Sequence, residues 1–397
     1  MWLLIQTDTG LFTKKQQWKT VPLLIQEMAQ PSQNIFGLMN QWGRMLLKIK
    51  LLPIGFLVCL LFLVSCSTDA PIQSTNLYKL SGRSQGTTYL IQVYDKELNF
   101  NPQQIDSILT AFDQELSTYI GSSLISRFNQ IDFKDTVIEK TSRFVEMLEL
   151  SDSVHKMTNG LFDPSVKPLM DLWGFDQANP SVPLKSSIDS VLNFVSYQRN
   201  RHFIFRQSSN DSVKIIKNTP RFQLDFNAIA QGYTVDLLLD FIKSKGHQNV
   251  YVELGGELAL SGTKIKKEKW RIGVEAPIEN TSTTEQVIQK VFSLSDRRIA
   301  TSGNYRKFFI ADGEKYAHTI NPKTGRQNRH NLLSATVFSK SCALSDAFAT
   351  FFMLVGVDET NTFLKAHPEL GLEVFLIYDE SNTYLTFLSK GLKPFLD

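Results

Sequence analysis

The chain has 397 residues, 42% of them apolar and 20% charged, the composition of a soluble globular body with room for one large domain or two ordinary ones. Its formal net charge of +3 is too small for a nucleic-acid surface, and no Lys/Arg-rich block alternates with aromatics, so nucleic acid is excluded as a partner. Three well-separated cysteines, Cys59, Cys66 and Cys342, exclude a cysteine-based zinc knuckle and a disulfide framework.

Residues 51–64 form a short apolar run, preceded by Lys48 and Lys50 and closed by Ser65-Cys66-Ser67. The run is too short for a comfortable membrane span but has the basic and apolar regions of a secretory signal. Leu63-Val64-Ser65-Cys66 is similar to a bacterial lipobox, which implies lipidation of Cys66 as the first mature residue. Met45 would supply the start of such a signal, so translation is expected to begin there. The expected layout is an extension at 1–44, a signal at 45–66, a polar tether at 67–79 and a folded body at 80–397. The body would then work outside the cytoplasm, held to a membrane by its lipid. Cys342 would be its only unmodified thiol.

Within the body, residues 86–94 are rich in β-branched and aromatic side chains and predict the first strand. Asn101-Pro102 supplies an N-cap and first helical residue, followed by Ile105, Ile108, Leu109, Phe112, Leu116 and Tyr119 at helical spacing. A short helical piece is expected over 122–129 and a longer helix over 144–157, stopped at Asn159-Gly160. Residues 161–175 hold two prolines and a Trp-Gly pair, which predicts a partly buried loop rather than one regular helix. Ser186 and Asp189 resemble a capping box for a helix to about residue 195, and strands are expected at 202–206, 213–217 and 222–226.

Residues 224–236 read as a strand running into a helix, with Asp225 and Asn227 at the junction. The free N–H groups of such a helix start can receive an anion, or the two side chains can simply cap it. Gly255-Gly256, set among strand-like residues 251–260, predicts a bulge or a close backbone approach. Further strands are expected at 270–275 and 291–294. Residues 300–325 then give a hairpin, 308–310 and 316–320, turning at Asp312-Gly313. Polar clusters at 301–304 and 321–325 and the nearby His318 make it either an active-site floor or a surface hairpin with a hydrogen-bonded histidine.

Beyond it come a strand at 333–339, an apolar helix at 342–355, a short helix near 360–366 and strands at 372–378 and 383–388. Asp346 and Thr350 stand four apart on the apolar helix and so share a face. A carboxylate there needs a partner, either a hard cation or capping and hydrogen bonds. Two protein oxygens are too few for a calcium cage but suit Mg²⁺, which keeps waters and substrate phosphates in its shell. No repeat, Walker loop, GxGxxG or HExxH motif is present. Strands outnumber helices without regular βαβ alternation, so the fold class is α+β with mainly antiparallel sheets and flanking helices.

Taken in order, these stretches resemble the FAD:protein FMN transferase (ApbE-like) family over about residues 81–388. The resemblance is carried by Gln85-Gly86-Thr87, Ser117-Thr118-Tyr119, Ser126-Arg127-Phe128-Asn129, Phe162-Asp163-Pro164, Trp173-Gly174-Phe175 and residues 224–236. It continues through Gly255-Gly256, Ala300-Thr301-Ser302-Gly303, Tyr305-Arg306, His318, Asn321-Pro322, Thr324-Gly325 and residues 346–350. It implies a two-lobed fold with FAD between the lobes, and transfer of the FMN half to a Thr or Ser hydroxyl of an acceptor protein with release of AMP. The acceptors implied are extracytoplasmic flavoproteins, including subunits of membrane redox complexes, and the place is the periplasmic face of a bacterial envelope. The magnesium ligands implied are the Ala228 carbonyl, Asp346 and Thr350. Flavin-nucleotide contacts carry over to Gln85, Tyr119, Leu161, Phe162, Asp163, Asp225, Gln231 and Thr319 or Ile320, and the general base to His318. Gln85, Gln231, Asn304 and Asn321 stand where Met, Lys, Asp and Asp are frequent, which bears on FAD affinity. An FAD pyrophosphatase and a non-catalytic FAD-binding lipoprotein are the alternatives.

Overall fold

The computed structural model describes residues 75–397 except 176–179, 198–201, 279–286, 306–307 and 382. The expected signal, Cys59, the expected lipidation site Cys66 and Arg306 lie outside the described residues. Among the described residues no helix is long and apolar enough to cross a membrane.

The described residues open with a hairpin, β1 (Asn76–Ser84) and β2 (Thr87–Asp95), whose turn places Gln85 and Gly86 at positive φ. Asn76 to Lys79, expected in the tether, are therefore strand, their backbone paired with 92–95. Helix α1 (Pro102–Leu116) begins with a full capping box between Asn101 and Gln104. Helices α2 (Leu124–Asn129) and α3 (Arg143–Met157) follow, with β3 (Thr136–Glu139) between them. Asn159 and Gly160 leave α3 at positive φ, the expected stop.

Residues 161–175 are more regular than expected, because α4 (Lys167–Trp173) sits inside them. Pro168 falls in its first turn, where a missing N–H costs nothing, and Gly174 closes it at φ 70. Helix α5 (Lys185–Leu192) starts behind Leu184 without a side-chain cap, so Ser186 is no N-cap. Strands β4 (Phe203–Gln207) and β5 (Ser212–Lys217) join β3 in a small sheet. The strand expected over 222–226 does not form. There the backbone of Leu224 is taken by the Asn129 side chain in both directions, at 2.7 and 2.8 Å, and Asp225 N–H donates to the Pro164 carbonyl at 2.7 Å.

Helix α6 (Asn227–Ser244) leads to β6 (Val250–Leu254) and β7 (Glu257–Ser261), with β8 (Trp270–Glu275), β9 (Ile288–Leu294) and β10 (Arg298–Gly303) beyond. Gly255-Gly256 is the β6–β7 turn, at φ 69 and 117, rather than a bulge within one strand. The hairpin β11 (Phe308–Ala311) and β12 (Glu314–Ala317) turns at Asp312-Gly313 as expected, both at positive φ. Last come β13 (Leu332–Ser339), α7 (Cys342–Ala366), β14 (Glu373–Glu380) and β15 (Thr383–Leu388). Gly356, at φ 83, breaks α7 into the two helical stretches expected from the sequence.

Every strand pair among the described residues is antiparallel, and the fold is the α+β class read from the sequence. The largest sheet runs β1-β2-β6-β7-β10-β13-β14-β15. Its two faces separate by alternation. Val337, Val374 and Leu376 pack with α6 and α7, whereas Phe338, Phe375 and Ile377 pack under the β8–β9 ribbon with Trp270 and Phe292. The central strands are therefore covered on both sides. This places α6 and α7 side by side on one face, fixed by the sheet beneath them.

Candidate active site

The α6–α7 contact is unusually close, and glycine makes it so. A Cβ on Gly232 would stand 2.3 Å from the Cys342 carbonyl oxygen, so only glycine fits. At that contact Gly232 N–H donates to Asp346 Oδ2 at 3.1 Å, across 114 residues of chain. The in-helix acceptor for that same N–H would be the Ala228 carbonyl, one turn back. Helix geometry therefore turns the Ala228 carbonyl toward the amide from which Asp346 accepts. One turn further along α7, Thr350 Oγ1 is 3.2 Å from Ser302 Oγ at the end of β10.

Asp346 is buried, and burial pushes its pKa up to about 7 against the opposing pull of the Gly232 N–H. A carboxylate so placed gains from a cation, since one amide hydrogen bond offsets little of the desolvation of a charge. The donors on hand are a carbonyl, a carboxylate and hydroxyls, all oxygen, which fits a hard divalent ion that retains waters. Among the described residues no three His, Cys, Asp or Glu side chains gather as a metal site, so any cation here would rest on mixed oxygen donors.

A second group forms where the β1–β2 turn meets α6. Gln85 Nε2 donates to Thr234 Oγ1 at 2.8 Å, and Gln231 Nε2 reaches the Gln85 carbonyl at 3.4 Å. A Cβ on Gly255 would lie 3.3 Å from Gln231 Nε2, which brings the double-glycine turn to the same place. The N-cap position, Phe226, makes no side-chain cap bond; just before it Asp225 Oδ1 accepts from Asn227 N–H at 2.7 Å.

The third group lines a cavity of about 570 Å³ that includes His155, Asn159, Gly160, Asp163, Val195 and Lys323. Asp163 is buried there. Its Oδ1 accepts from Ser165 N–H at 2.8 Å and Ser165 Oγ at 2.5 Å, and its Oδ2 from Tyr197 N–H at 3.0 Å. Burial raises its pKa, and those hydrogen bonds with nearby His155 oppose the rise. His155 Nδ1 is 2.9 Å from the Phe162 carbonyl, so it donates there and turns its other nitrogen away. Leu161 is half-buried and Phe162 buried in the core.

These groups are joined through the backbone. The Asp225–Pro164 hydrogen bond links the cavity floor to the start of α6, and α6 carries Ala228, Gln231 and Gly232 onward to Asp346. His318 lies one residue beyond β12, at a bend and half-buried, not on the strand itself. Thr319 is half-buried beside it, and Ile320 is fixed among Leu169, Trp173, Ile188 and Val195. Pro322 and Lys323 then reach the cavity wall, while Trp173 Nε1 donates to the Gly325 carbonyl at 2.9 Å. Tyr119, between α1 and α2, is 70% exposed. Sequence reasoning did not single out Ser302 as a partner of Thr350, nor His155 and Lys323. The polar run at 301–304 held a signal for Ser302, but β10 was not expected there.

The chain matches the ApbE family over residues 85–376. It is 31% identical over 345 residues to the FAD:protein FMN transferase of Vibrio cholerae serotype O1, covering 86% of this chain and 97% of that protein. With the enzyme of the same name from Escherichia coli K12 the identity is 27% over 358 residues, covering 88% and 99%. Among solved structures, the flavin transferase ApbE from Vibrio cholerae superposes with a TM-score of 0.68 at 29% identity, over 81% of this chain and all of that one. The apo flavinyl transferase ApbE of Pseudomonas stutzeri gives 0.68 at 27%, over 81% and 97%.

Proposed function

This chain belongs to the ApbE family, and from that premise we propose that it is an FAD:protein FMN transferase whose acceptor is a Thr or Ser hydroxyl and whose leaving group is AMP. It moves FMN from FAD to a protein. The observation that carries the finer reading is the meeting of Ala228, Gly232 and Asp346, continued by Thr350 and Ser302, at one end of a backbone path from the Asp163 cavity.

The acceptor oxygen attacks the flavin-side phosphorus. A P–O bond forms there, the pyrophosphate P–O bond breaks, and AMP departs with the electron pair. His318 takes the hydroxyl proton, a step worth roughly 10² to 10⁴ in rate. Ala228, Asp346 and Thr350 would hold Mg²⁺, which neutralises charge on the phosphate oxygens when bound. Leu161 to Asp163, Asp225 and Thr319 or Ile320 position the nucleotide, and Gln85 and Gln231 close the α6 side. Tyr119, 70% exposed, is the remaining flavin contact that the family resemblance implies. The lipobox-like residues before Cys66 support a lipid anchor at the periplasmic face of a bacterial envelope, with extracytoplasmic flavoproteins, including subunits of membrane redox complexes, as acceptors.

The test is release of AMP and FMN from FAD by the purified protein, with Mg²⁺ or EDTA, with and without a candidate acceptor. AMP together with covalent fluorescent flavin on the acceptor is the expected result. AMP with free FMN and no acceptor needed would make the protein a pyrophosphatase, and intact FAD under every condition would leave it a binding protein.

A further inference from the structure

We propose that Asp236 is a positioning residue for the cation-binding oxygens, acting through a brace with Arg298 and Ser341 that holds α6, β10 and α7 in register. The inference rests on the oxygen-site reading above.

Asp236 stands on α6 one turn beyond Gly232, the residue at which the two helices touch. Its carboxylate makes three contacts with two other elements. Oδ1 pairs with Arg298 Nε at 2.9 Å. Oδ2 accepts from Ser341 Oγ at 2.9 Å and from Ala343 N–H at 3.1 Å. Ser341 is the N-cap of α7, its hydroxyl also accepting from Leu344 N–H at 3.3 Å. Arg298 begins β10 and sends Nη1 to the Leu260 carbonyl on β7 at 3.1 Å. Ser345 Oγ closes the circuit at the Arg298 carbonyl, 3.3 Å away.

Each element in this brace also carries one of the site oxygens. Ala228 is about two turns before Asp236 on α6, Ser302 follows Arg298 on the same strand, and Asp346 lies in the first turns of α7. The side chains of Asp236 and Arg298 are largely buried, so their pairing is little screened by solvent. A negative group at the start of α7 also meets the free N–H groups and positive end of that helix. The geometry of the oxygen set is therefore decided by a second set of polar groups that no proposed ligand belongs to. An ordinary helix cap would affect only stability, whereas a brace of this kind sets affinity for the ion, because partners behind the ligands commonly govern it.

The experiment is titration of the full chain with Mn²⁺, followed by electron paramagnetic resonance, for wild type, Asp236→Asn, Ser341→Ala and Asp346→Asn, with thermal unfolding in parallel. Asp236→Asn is expected to raise the Mn²⁺ dissociation constant by about 10- to 100-fold. In the transfer assay its half-saturating Mg²⁺ rises by a similar factor while the rate at saturating Mg²⁺ changes little. A folded Asp236→Asn protein with wild-type Mn²⁺ affinity would overturn the brace. If that variant does not fold, Ser341→Ala, which removes one arm, must weaken Mn²⁺ binding severalfold, and unchanged affinity there overturns the brace equally. Asp346→Asn separates the two levels: loss of Mn²⁺ in it alone leaves the oxygen site standing without the brace. Wild-type-like binding in Asp346→Asn, or none in the wild type, would remove the oxygen site and the brace together.

Discussion

The α6–α7 crossing and the β11–β12 hairpin carry the two halves of the proposed chemistry on opposite kinds of structure. The crossing is buried, set by a glycine that admits no side chain, backed by an eight-stranded sheet and tied by hydrogen bonds at Asp346 and Asp236. The hairpin is a two-stranded ribbon with Ile310 67% exposed, and His318 emerges at its base. Groups that stabilise charge gain from preorganisation in a dry place, because their dipoles need no rearrangement as charge develops. A base that must meet the hydroxyl of a whole acceptor protein has to stay within reach of the surface. In the proposed chemistry the phosphate side is thus built into the core and the acceptor side onto its rim.

Breaking the buried half has the larger effect. Asp346→Ala is expected to abolish Mg²⁺-dependent turnover, and retained Mg²⁺-stimulated AMP release would count against its role. Next comes the rim: His318→Ala should lose roughly 10² to 10⁴ in transfer rate while binding FAD, because it removes proton transfer and leaves the nucleotide contacts. Equilibrium dialysis with FAD alongside the transfer assay separates the two, and near-normal transfer would move the base elsewhere.

Gly232→Ala tests the crossing without removing a polar group. The added methyl forces the helices apart and should cost about 1–3 kcal/mol in chemical denaturation. It should also weaken Mg²⁺ binding, and a variant of full stability would show that the contact is loose.

A pH comparison sharpens the buried half further. The Asp346 pKa is raised in the folded chain to about 7, so the folded state binds that proton more tightly than the unfolded state. Its contribution to stability is present below the ordinary carboxylate range and is lost as pH rises through about 7. A cation restores what ionisation costs, so Mg²⁺ should raise Tm more at pH 8 than at pH 5.5. In Asp346→Asn that pH dependence should vanish, as differential scanning calorimetry would show. The smallest effect is expected at the hairpin tip, where Ile310→Ser should change stability by less than about 0.5 kcal/mol. A measurable loss of transfer to acceptor protein, with FAD cleavage intact, would give that exposed side chain a part in acceptor contact.

Local chemistry made much of the fold legible. The Asn101 N-cap, the Asn159-Gly160 stop, the Asp312-Gly313 turn and the shared helix of Asp346 and Thr350 were all readable because each depends on neighbours a few residues away. The misreadings at 222–226 and 255–256 have the opposite cause, whereas α4 was hidden by its own prolines. Residues 222–226 look like a strand, yet their backbone is claimed by Asn129 and Pro164 from distant segments. Two prolines hid α4, although one of them sits in its first turn. Gly255-Gly256 was read as a bulge or a close backbone approach; the approach holds, with Thr87 and Gln231 against Gly255, but nothing nearby says that β6 folds back on β7 there.

By itself, then, the sequence determined most of the helices, the antiparallel α+β class and the family resemblance. Only the tertiary structure decided that the Gly232 amide meets Asp346, that Ser302 faces Thr350, and that Asp236 binds three elements into one brace. The physical reason is range. Capping and periodicity act within a turn or two and leave their mark in adjacent residues, whereas a hydrogen bond across 114 residues exists only after a glycine has let two helices close on each other.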